Sequence, residues 1–126
     1  MPRDAFNRDD PPEIETVLDT IADEDCRALI HAMNEPRTAA ELSEVSGIPL
    51  STTYRKIEQL SEASLVDELI EIRDDGRHTS RYYPHFQTIE ISLTEERNME
   101  LDITRPARTA DERLEDLWSE IRRGVS

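Results

Sequence analysis

The chain has few of the residues that form covalent cross-links, metal centres or phosphate-binding loops. Cys26 is the only cysteine among 126 residues, so neither an internal disulfide nor a metal site made of several cysteines can form. The three glycines are far apart, and none lies in a glycine-rich loop of the kind that cradles phosphates. The three histidines lack the spacing of metal ligands. We therefore expect no metal and no other cofactor.

Long apolar runs and catalytic motifs are also missing. No stretch approaches the roughly 20 apolar residues that span a membrane, and residues 1–12 carry no apolar signal core. These residues end in Asp-Asp-Pro-Pro and are interpreted as a flexible leader. The spacing of the polar residues indicates no Ser/His/Asp or Cys/His set. The sequence therefore predicts a cytoplasmic protein that has no membrane partner and is not an enzyme.

Positive charge is scarce, and lysine is nearly absent. The chain has 29 acidic and 15 basic residues, a formal net charge of -14, and Lys56 is its only lysine. Such a surface keeps a protein soluble, but its charges repel one another in the compact state. Molar salt screens this repulsion, because the Debye length falls to about 3 Å at 1 M. The composition therefore favours a halophilic source, with an ordinary acidic protein as the alternative.

The N-terminal third has the apolar spacing of helices. A first amphipathic helix is predicted from an i, i+3, i+4, i+7 pattern formed by Ile14, Val17, Leu18 and Ile21. A second helix is predicted over residues 23–34, with acidic side chains in its first turn, where the helix dipole favours anions. Cys26 falls on the apolar side of that helix and is interpreted as a buried structural thiol.

Two short helices joined by a tight turn are predicted next. Thr38 and Glu41 form a capping box that opens a third helix, and Gly47 is placed as its C-terminal glycine. Ser51 is predicted to cap a fourth helix over residues 52–63. The inward stripe of that helix consists of Thr53, Ile57 and Leu60. This arrangement is typical of a helix-turn-helix.

After the fourth helix the apolar period changes from 3.6 to 2, which indicates strands. Strands over residues 65–73 and 79–83 flank an Asp-Asp-Gly-Arg turn and form a first hairpin. A second hairpin is predicted from two alternating runs, 89–93 and 99–103. A capping box that begins at Thr109 opens a final helix. The apolar face of this final helix consists of Leu114, Leu117, Trp118 and Ile121.

This order of elements resembles the winged helix-turn-helix regulators of the ArsR and MarR type, especially small archaeal members. The matching segments are Arg-Ala-Leu-Ile at 27–30, Thr-Ala-Ala-Glu-Leu at 38–42, Gly-Ile-Pro-Leu-Ser-Thr-Thr-Tyr-Arg-Lys-Ile at 47–57 and Leu-Val at 65–66. Ser64 departs from the family, which usually has glycine before Leu-Val. The resemblance covers residues 23–83. It implies an α+β winged helix-turn-helix in a haloarchaeal regulator. The second hairpin and the final helix lie beyond the resemblance, and the apolar pattern predicts them as an added C-terminal β-hairpin and a terminal dimerisation helix.

Candidate DNA-binding residues lie on the fourth helix and the first hairpin. A helix that enters the major groove needs a buried stripe on one side and short polar and cationic groups on the other. The outer side of the fourth helix offers Ser51, Thr52, Tyr54, Arg55, Lys56 and Gln59. The first hairpin would form the wing, and its predicted contacts with the DNA backbone are Arg73, Arg77, His78 and Arg81.

The charge distribution supports this interface. Residues 50–60 and 73–81 hold five basic and three acidic side chains, a net charge of +2, so the remaining 106 residues carry -16. The only net basic region of the predicted fold thus coincides with its predicted DNA face. The overall acidity argues in the other direction, because DNA repels most of this chain at low salt.

The sequence therefore predicts a flexible leader over residues 1–12, a winged helix-turn-helix domain over 13–84, and a hairpin with a terminal helix over 85–126. We expect a homodimer that binds double-stranded DNA as a sequence-specific transcription regulator and represses. The apolar faces of the first and last helices are the predicted dimer contacts, and packing of the last helix on the core of its own chain is the alternative. A winged-helix module that binds proteins of the transcription machinery without reading DNA is the alternative, and a small enzyme is a distant third.

Overall fold

The computed structural model describes residues 12–106, in which four helices precede two β-hairpins. The predicted α+β class and the winged-helix order of elements are confirmed. The predicted terminal helix and most of the predicted leader lie outside the described residues. The elements are α1 Ile14–Ala22, α2 Glu24–Ala32, α3 Ala39–Ser46, α4 Leu50–Glu62, β1 Val66–Ile72, β2 His78–Pro84, β3 Thr88–Leu93 and β4 Met99–Thr104.

The core lies where the apolar stripes of the four helices meet. Each helix contributes at least one fully buried side chain to this core. Leu65, directly before β1, is also fully buried there. The helical members of this set are Val17, Leu29, Leu42 and Leu60. Cys26 is also buried, and burial raises the pKa of its thiol to about 11. The thiol therefore behaves as a small apolar core group, as the sequence predicts.

Strands β1 and β2 form the antiparallel hairpin called the wing below (residues 66–84). Val66 lies opposite Pro84, and Ile72 lies opposite His78. The segment between α2 and α3 joins this hairpin through an isolated bridge. The amide of Arg37 donates to the carbonyl of Tyr82 at 3.2 Å, and the Tyr82 amide donates back at 2.8 Å. This bridge connects the base of the wing to the helix-turn-helix.

Helix α4 ends in a left-handed residue that is not glycine. Ser64 has φ +62°, and its amide donates to the carbonyl of Ser61 at 3.0 Å. The Leu65 amide donates to the carbonyl of Leu60, also at 3.0 Å. These two bonds form a Schellman motif, in which glycine normally takes the left-handed position. Ser64 therefore adopts the backbone conformation of the glycine that usually stands at this position in the regulators that the sequence resembles.

Because the left-handed region is unfavourable for any residue with a Cβ, Ser64→Gly is expected to stabilise the protein. The gain in the free energy of unfolding should reach about 1 kcal/mol. Ser61→Gly, three residues earlier in the same helix, is the matched control and should cost about 0.5–1 kcal/mol. Urea unfolding of the two variants measures both effects, and a loss of stability in Ser64→Gly would contradict the assignment of strain.

The second hairpin, β3–β4, is a separate two-stranded antiparallel sheet. It follows the wing directly. The amide of His85 donates to the carbonyl of Leu65 at 2.9 Å, which connects the junction to the end of α4. The guanidinium of Arg105, just beyond β4, donates to the carbonyls of Ser64 and His85 at 2.6 and 2.7 Å. Both ends of the second hairpin are thus fastened to the winged-helix core.

Candidate nucleic-acid interface

The turn between α3 and α4 is held by hydroxyl groups that flank it. Gly47 adopts φ +80°, a left-handed conformation that ends α3. The carbonyl of Ile48 then accepts two side-chain hydrogen bonds, from Ser43 Oγ at 2.6 Å and from Thr53 Oγ1 at 3.2 Å. Thr53 is fully buried. These hydrogen bonds fix the orientation of α4 relative to α3. Sequence reasoning missed the contribution of Ser43.

The start of α4 differs from the predicted one. The prediction that Ser51 caps the helix is wrong, because α4 begins at Leu50 and Pro49 stands before it. No side chain caps this end. In the first backbone hydrogen bond of the helix, the Thr53 amide donates to the carbonyl of Pro49 at 2.8 Å. The proline ring restricts φ to a value suited to a helix start. Ser51 is therefore inside the first turn, and its exposed hydroxyl is not used by a cap.

The two faces of α4 are those that the apolar pattern predicts. Thr53, Ile57 and Leu60 are buried against the core. On the other side, the exposed candidate residues are Ser51, Tyr54 and Arg55, and the partly buried ones are Thr52, Lys56 and Gln59. Within residues 12–106 no carboxylate pairs with the Arg55 guanidinium. Arg55 is therefore the cation that α4 presents to a ligand.

Lys56 is engaged within the molecule. Its ammonium lies 2.5 Å from a carboxylate oxygen of Asp23, and its side chain is 17% exposed. The same Asp23 side chain accepts the amide of Cys26 at 3.0 Å and so caps the N-terminus of α2. One carboxylate thus joins the start of α2 to the middle of α4. Sequence reasoning placed Lys56 among the outward groups, since nothing in the pattern reveals a partner 33 residues away.

The Asp23–Lys56 pair predicts a dependence of stability on acid. The Lys56 ammonium, followed by the Cys26 amide, lowers the pKa of Asp23 below its usual 3.8. A carboxyl with a lowered pKa stabilises the fold above its unfolded pKa, and this contribution is lost as the pH falls through the folded value. Asp23→Asn should therefore be less stable than the wild type above about pH 5, and the difference should shrink below about pH 4.

Unfolding free energies measured from pH 3 to pH 6 test this expectation. Asp19→Asn is the matched control, because Asp19 is exposed on the neighbouring helix α1. That substitution should change stability by no more than about 0.5 kcal/mol at any pH. A constant difference between the wild type and Asp23→Asn across the range would contradict the role of the ionised pair.

The wing is joined to α3 by a second pair of this kind. Arg81 donates to Glu41 at 3.0 Å and to Glu71 at 3.3 Å. Glu41 is also the glutamate of the predicted capping box, which is confirmed: it accepts the Thr38 amide at 3.0 Å. That amide, and then Arg81, lower the pKa of Glu41. Arg81 therefore sets the position of the wing relative to α3.

The other candidate residues of the wing lie at its tip. Arg73, Arg77 and His78 are exposed, and Arg77 stands 3.7 Å from Asp75 in an exposed pair. Such a pair between exposed side chains contributes little. Of the five cations that the sequence assigns to the interface, Lys56 and Arg81 are thus bound by carboxylates of the fold. The cations that face outward on α4 and the wing are Arg55, Arg73 and Arg77.

The predicted dimer contacts on α1 differ in how exposed they are. Val17 is fully buried and belongs to the core, whereas Leu18 is 46% exposed. Ile14 and Ile21 are half-buried. The four apolar residues of the predicted final helix lie outside the described residues. Helix α1 therefore offers a second subunit little more than Leu18.

Comparison with known proteins agrees with the helix-turn-helix order of elements. Residues 21–68 match a family model described as a helix-turn-helix domain. The match runs from the end of α1 into β1, and it supports a DNA-binding regulator of the helix-turn-helix class. No curated protein matches the chain. Among the described helices, none has the length and apolar character required to cross a membrane.

Proposed function

We propose that this protein is a sequence-specific transcription regulator that binds duplex DNA as a homodimer. Helix α4 enters the major groove, and the wing follows the backbone beside it. The observation that carries the proposal is the position of Arg55. It projects from a helix whose opposite face is buried, next to the hydroxyls of Ser51 and Thr52. A guanidinium in this setting reads guanine through two parallel hydrogen bonds.

The remaining candidate residues divide into those that touch DNA and those that position these contacts. Tyr54 and Gln59 extend the surface of α4, and Arg73, Arg77 and His78 contact phosphates from the wing. Lys56 and Arg81 act through the fold, because each is bound to a carboxylate of another element. This division separates the ten predicted DNA contacts into residues that touch DNA and residues that act through the fold.

The regulator belongs, in this proposal, to the ArsR- and MarR-like group and acts in the cytoplasm of a salt-loving archaeon. Repression follows if the dimer covers a promoter. The alternative, a module that binds a protein of the transcription machinery, is favoured by one observation. Two of the five interface cations are bound within the fold, which leaves a weak positive field on a chain of net charge -14.

Selection of bound duplexes from a random pool, performed in molar KCl with the full chain, separates these functions. A two-fold reader should enrich a palindrome whose half-sites lie about 10–10.5 base pairs apart, centre to centre. Enrichment of an asymmetric site would argue against the two-fold dimer but not against sequence-specific DNA binding. Failure to enrich any sequence at any salt concentration would remove DNA reading and leave the protein-binding alternative.

The salt dependence of binding should be shallow for a DNA-binding protein. Even if Arg55 is counted together with Arg73 and Arg77, two subunits neutralise at most six phosphates, which gives a slope of log K against log salt of about -5. Carboxylates around the interface oppose this effect, because cations from the solution are needed between them and the phosphates. We therefore expect a slope weaker than about -5 between 0.2 and 2 M KCl, measured by fluorescence anisotropy with the selected duplex. A steeper slope would contradict this interface.

A further inference from the structure

The second hairpin has one apolar face and one polar face. Side chains alternate along a strand, and the register places Ile89 opposite Ile103, with two further apolar pairs towards the tip. The apolar face consists of Ile89, Ile91, Leu93, Met99, Leu101 and Ile103. The other face consists of Thr88, Glu90, Ser92, Glu100, Asp102 and Thr104. A hairpin with this pattern needs an apolar partner on one side only.

The core of the winged-helix domain covers only the base of the apolar face. Ile89, Leu101 and Ile103 are partly buried and pack against the core. Towards the tip, Ile91 is 44% exposed, Leu93 56% and Met99 70%. Within residues 12–106, no element covers this outer half.

The other exposed apolar side chains lie at the proposed DNA interface or stand singly. Leu50 and Tyr54 are on α4, and Ile70 and Ile72 are on the wing. Val45 on α3 and Leu18 on α1 are isolated exposed residues. Among the described residues, the hairpin tip is therefore a cluster of exposed apolar side chains on an element to which no DNA contact is assigned. Such clusters commonly mark protein–protein contacts.

We infer that a second copy of this chain is seated on the apolar face of the β3–β4 hairpin, through the apolar stripe of its C-terminal segment. That stripe is Leu114, Leu117, Trp118 and Ile121. The inference rests on the proposed homodimer and names its contact surface. A dimer needs apolar area, and α1 offers little beyond Leu18. If the stripe packed on the hairpin of its own chain, both surfaces would be consumed and the dimer would have none.

The length of the segment fits this arrangement. A helix over residues 109–123 would be about 22 Å long, and strands of six residues span about 20 Å. The four residues between Thr104 and Thr109 allow a reach of at most about 17 Å from one threonine to the other, which permits the segment to cross to a neighbour. Exchange about a two-fold axis repeats the contact twice.

Sedimentation equilibrium of the full chain in molar KCl tests the surface. Leu93→Glu places a charge on the apolar face and should raise the dimer dissociation constant at least about tenfold. Ser92→Glu places the same charge on the polar face of the same strand and should leave that constant unchanged. Circular dichroism and urea unfolding should show both variants folded, because both positions are exposed. A Leu93→Glu dimer as tight as the wild type would overturn the inference.

Cysteine cross-linking distinguishes exchange between copies from closure within one copy. Leu93→Cys and Leu117→Cys are made in separate chains, mixed and oxidised, with buried Cys26 left in place. A cross-linked product of two-chain mass, in excess of that from either variant alone, is expected from the mixture. In a chain that carries both substitutions, a product of one-chain mass as the main species at low concentration would show closure on its own hairpin and overturn the inference.

The same measurements separate this inference from the proposed function. If the wild type is a dimer and Leu93→Glu does not weaken it, the hairpin contact is wrong and the proposed dimer stands. A monomeric wild type that still enriches one sequence removes both the dimer and the hairpin contact, and it leaves DNA reading. A wild type that enriches no sequence but dimerises through the hairpin keeps this contact and removes the DNA-binding proposal.

Discussion

Replacement of Arg55 by alanine is expected to weaken binding to the selected duplex by about 5- to 150-fold for each half-site. This range corresponds to the roughly 1–3 kcal/mol that a two-pronged contact with guanine contributes to discrimination. Arg55 is exposed, and within the described part of the chain no carboxylate pairs with it. The variant should therefore fold with nearly unchanged stability. Fluorescence anisotropy at constant salt measures the loss of affinity. Arg55→Ala should cause a smaller loss of affinity for a duplex with a changed half-site than for the selected duplex.

Lys56→Ala is the matched control for this experiment. It removes the neighbouring cation on the same helix, but that cation is bound to Asp23. We expect Lys56→Ala to lower the melting temperature and to leave the affinity of the folded protein within about threefold of the wild type. Equal losses of affinity in the two variants, both fully folded, would contradict the division between a reading residue and a positioning residue.

Leu60→Ala is expected to cost about 2–5 kcal/mol of stability. Leu60 is fully buried on the inner face of α4, and its carbonyl accepts the Leu65 amide at the end of the helix. Truncation leaves a cavity between α4 and the core, because close-packed surroundings relax only in part. For a domain of this size, such a loss is a large part of the total stability. Urea unfolding in molar KCl measures it.

The adjacent position provides the control for Leu60. Ser61→Ala changes an exposed side chain one residue along the same helix and should shift the free energy of unfolding by no more than about 0.5 kcal/mol. A loss below about 1 kcal/mol in Leu60→Ala would show that α4 is not fastened to the core through this residue. The orientation of α4 relative to the core would then have to depend on other contacts.

The parts of the fold that depend on local patterns could be predicted from the sequence. The apolar period of α4 located its buried face, and the Thr38–Glu41 box located the start of α3. The alternating runs before and after residues 94–98 predicted the second hairpin. Each of these patterns acts within one element, where spacing alone decides which side chains meet.

The parts that depend on distant partners could not be predicted. Lys56 meets Asp23 across 33 residues, and Arg81 meets Glu41 across 40. A count of charge treats all four as surface groups, so the sequence overstated the positive field of the interface. The helix start at Leu50 was missed for a different reason. Serine is a common cap, and the preset φ of Pro49 was the stronger local signal.

The double use of Glu41 has a consequence for the DNA. One carboxylate holds both the first amide of the helix-turn-helix and the arginine at the centre of the wing. Together with the Arg37–Tyr82 bridge, this link holds the wing beside α3 and so restricts changes in the gap between the wing and α4. A duplex whose groove does not match must itself bend or narrow. We expect tight sites to contain flexible pyrimidine–purine steps between the positions that the protein touches.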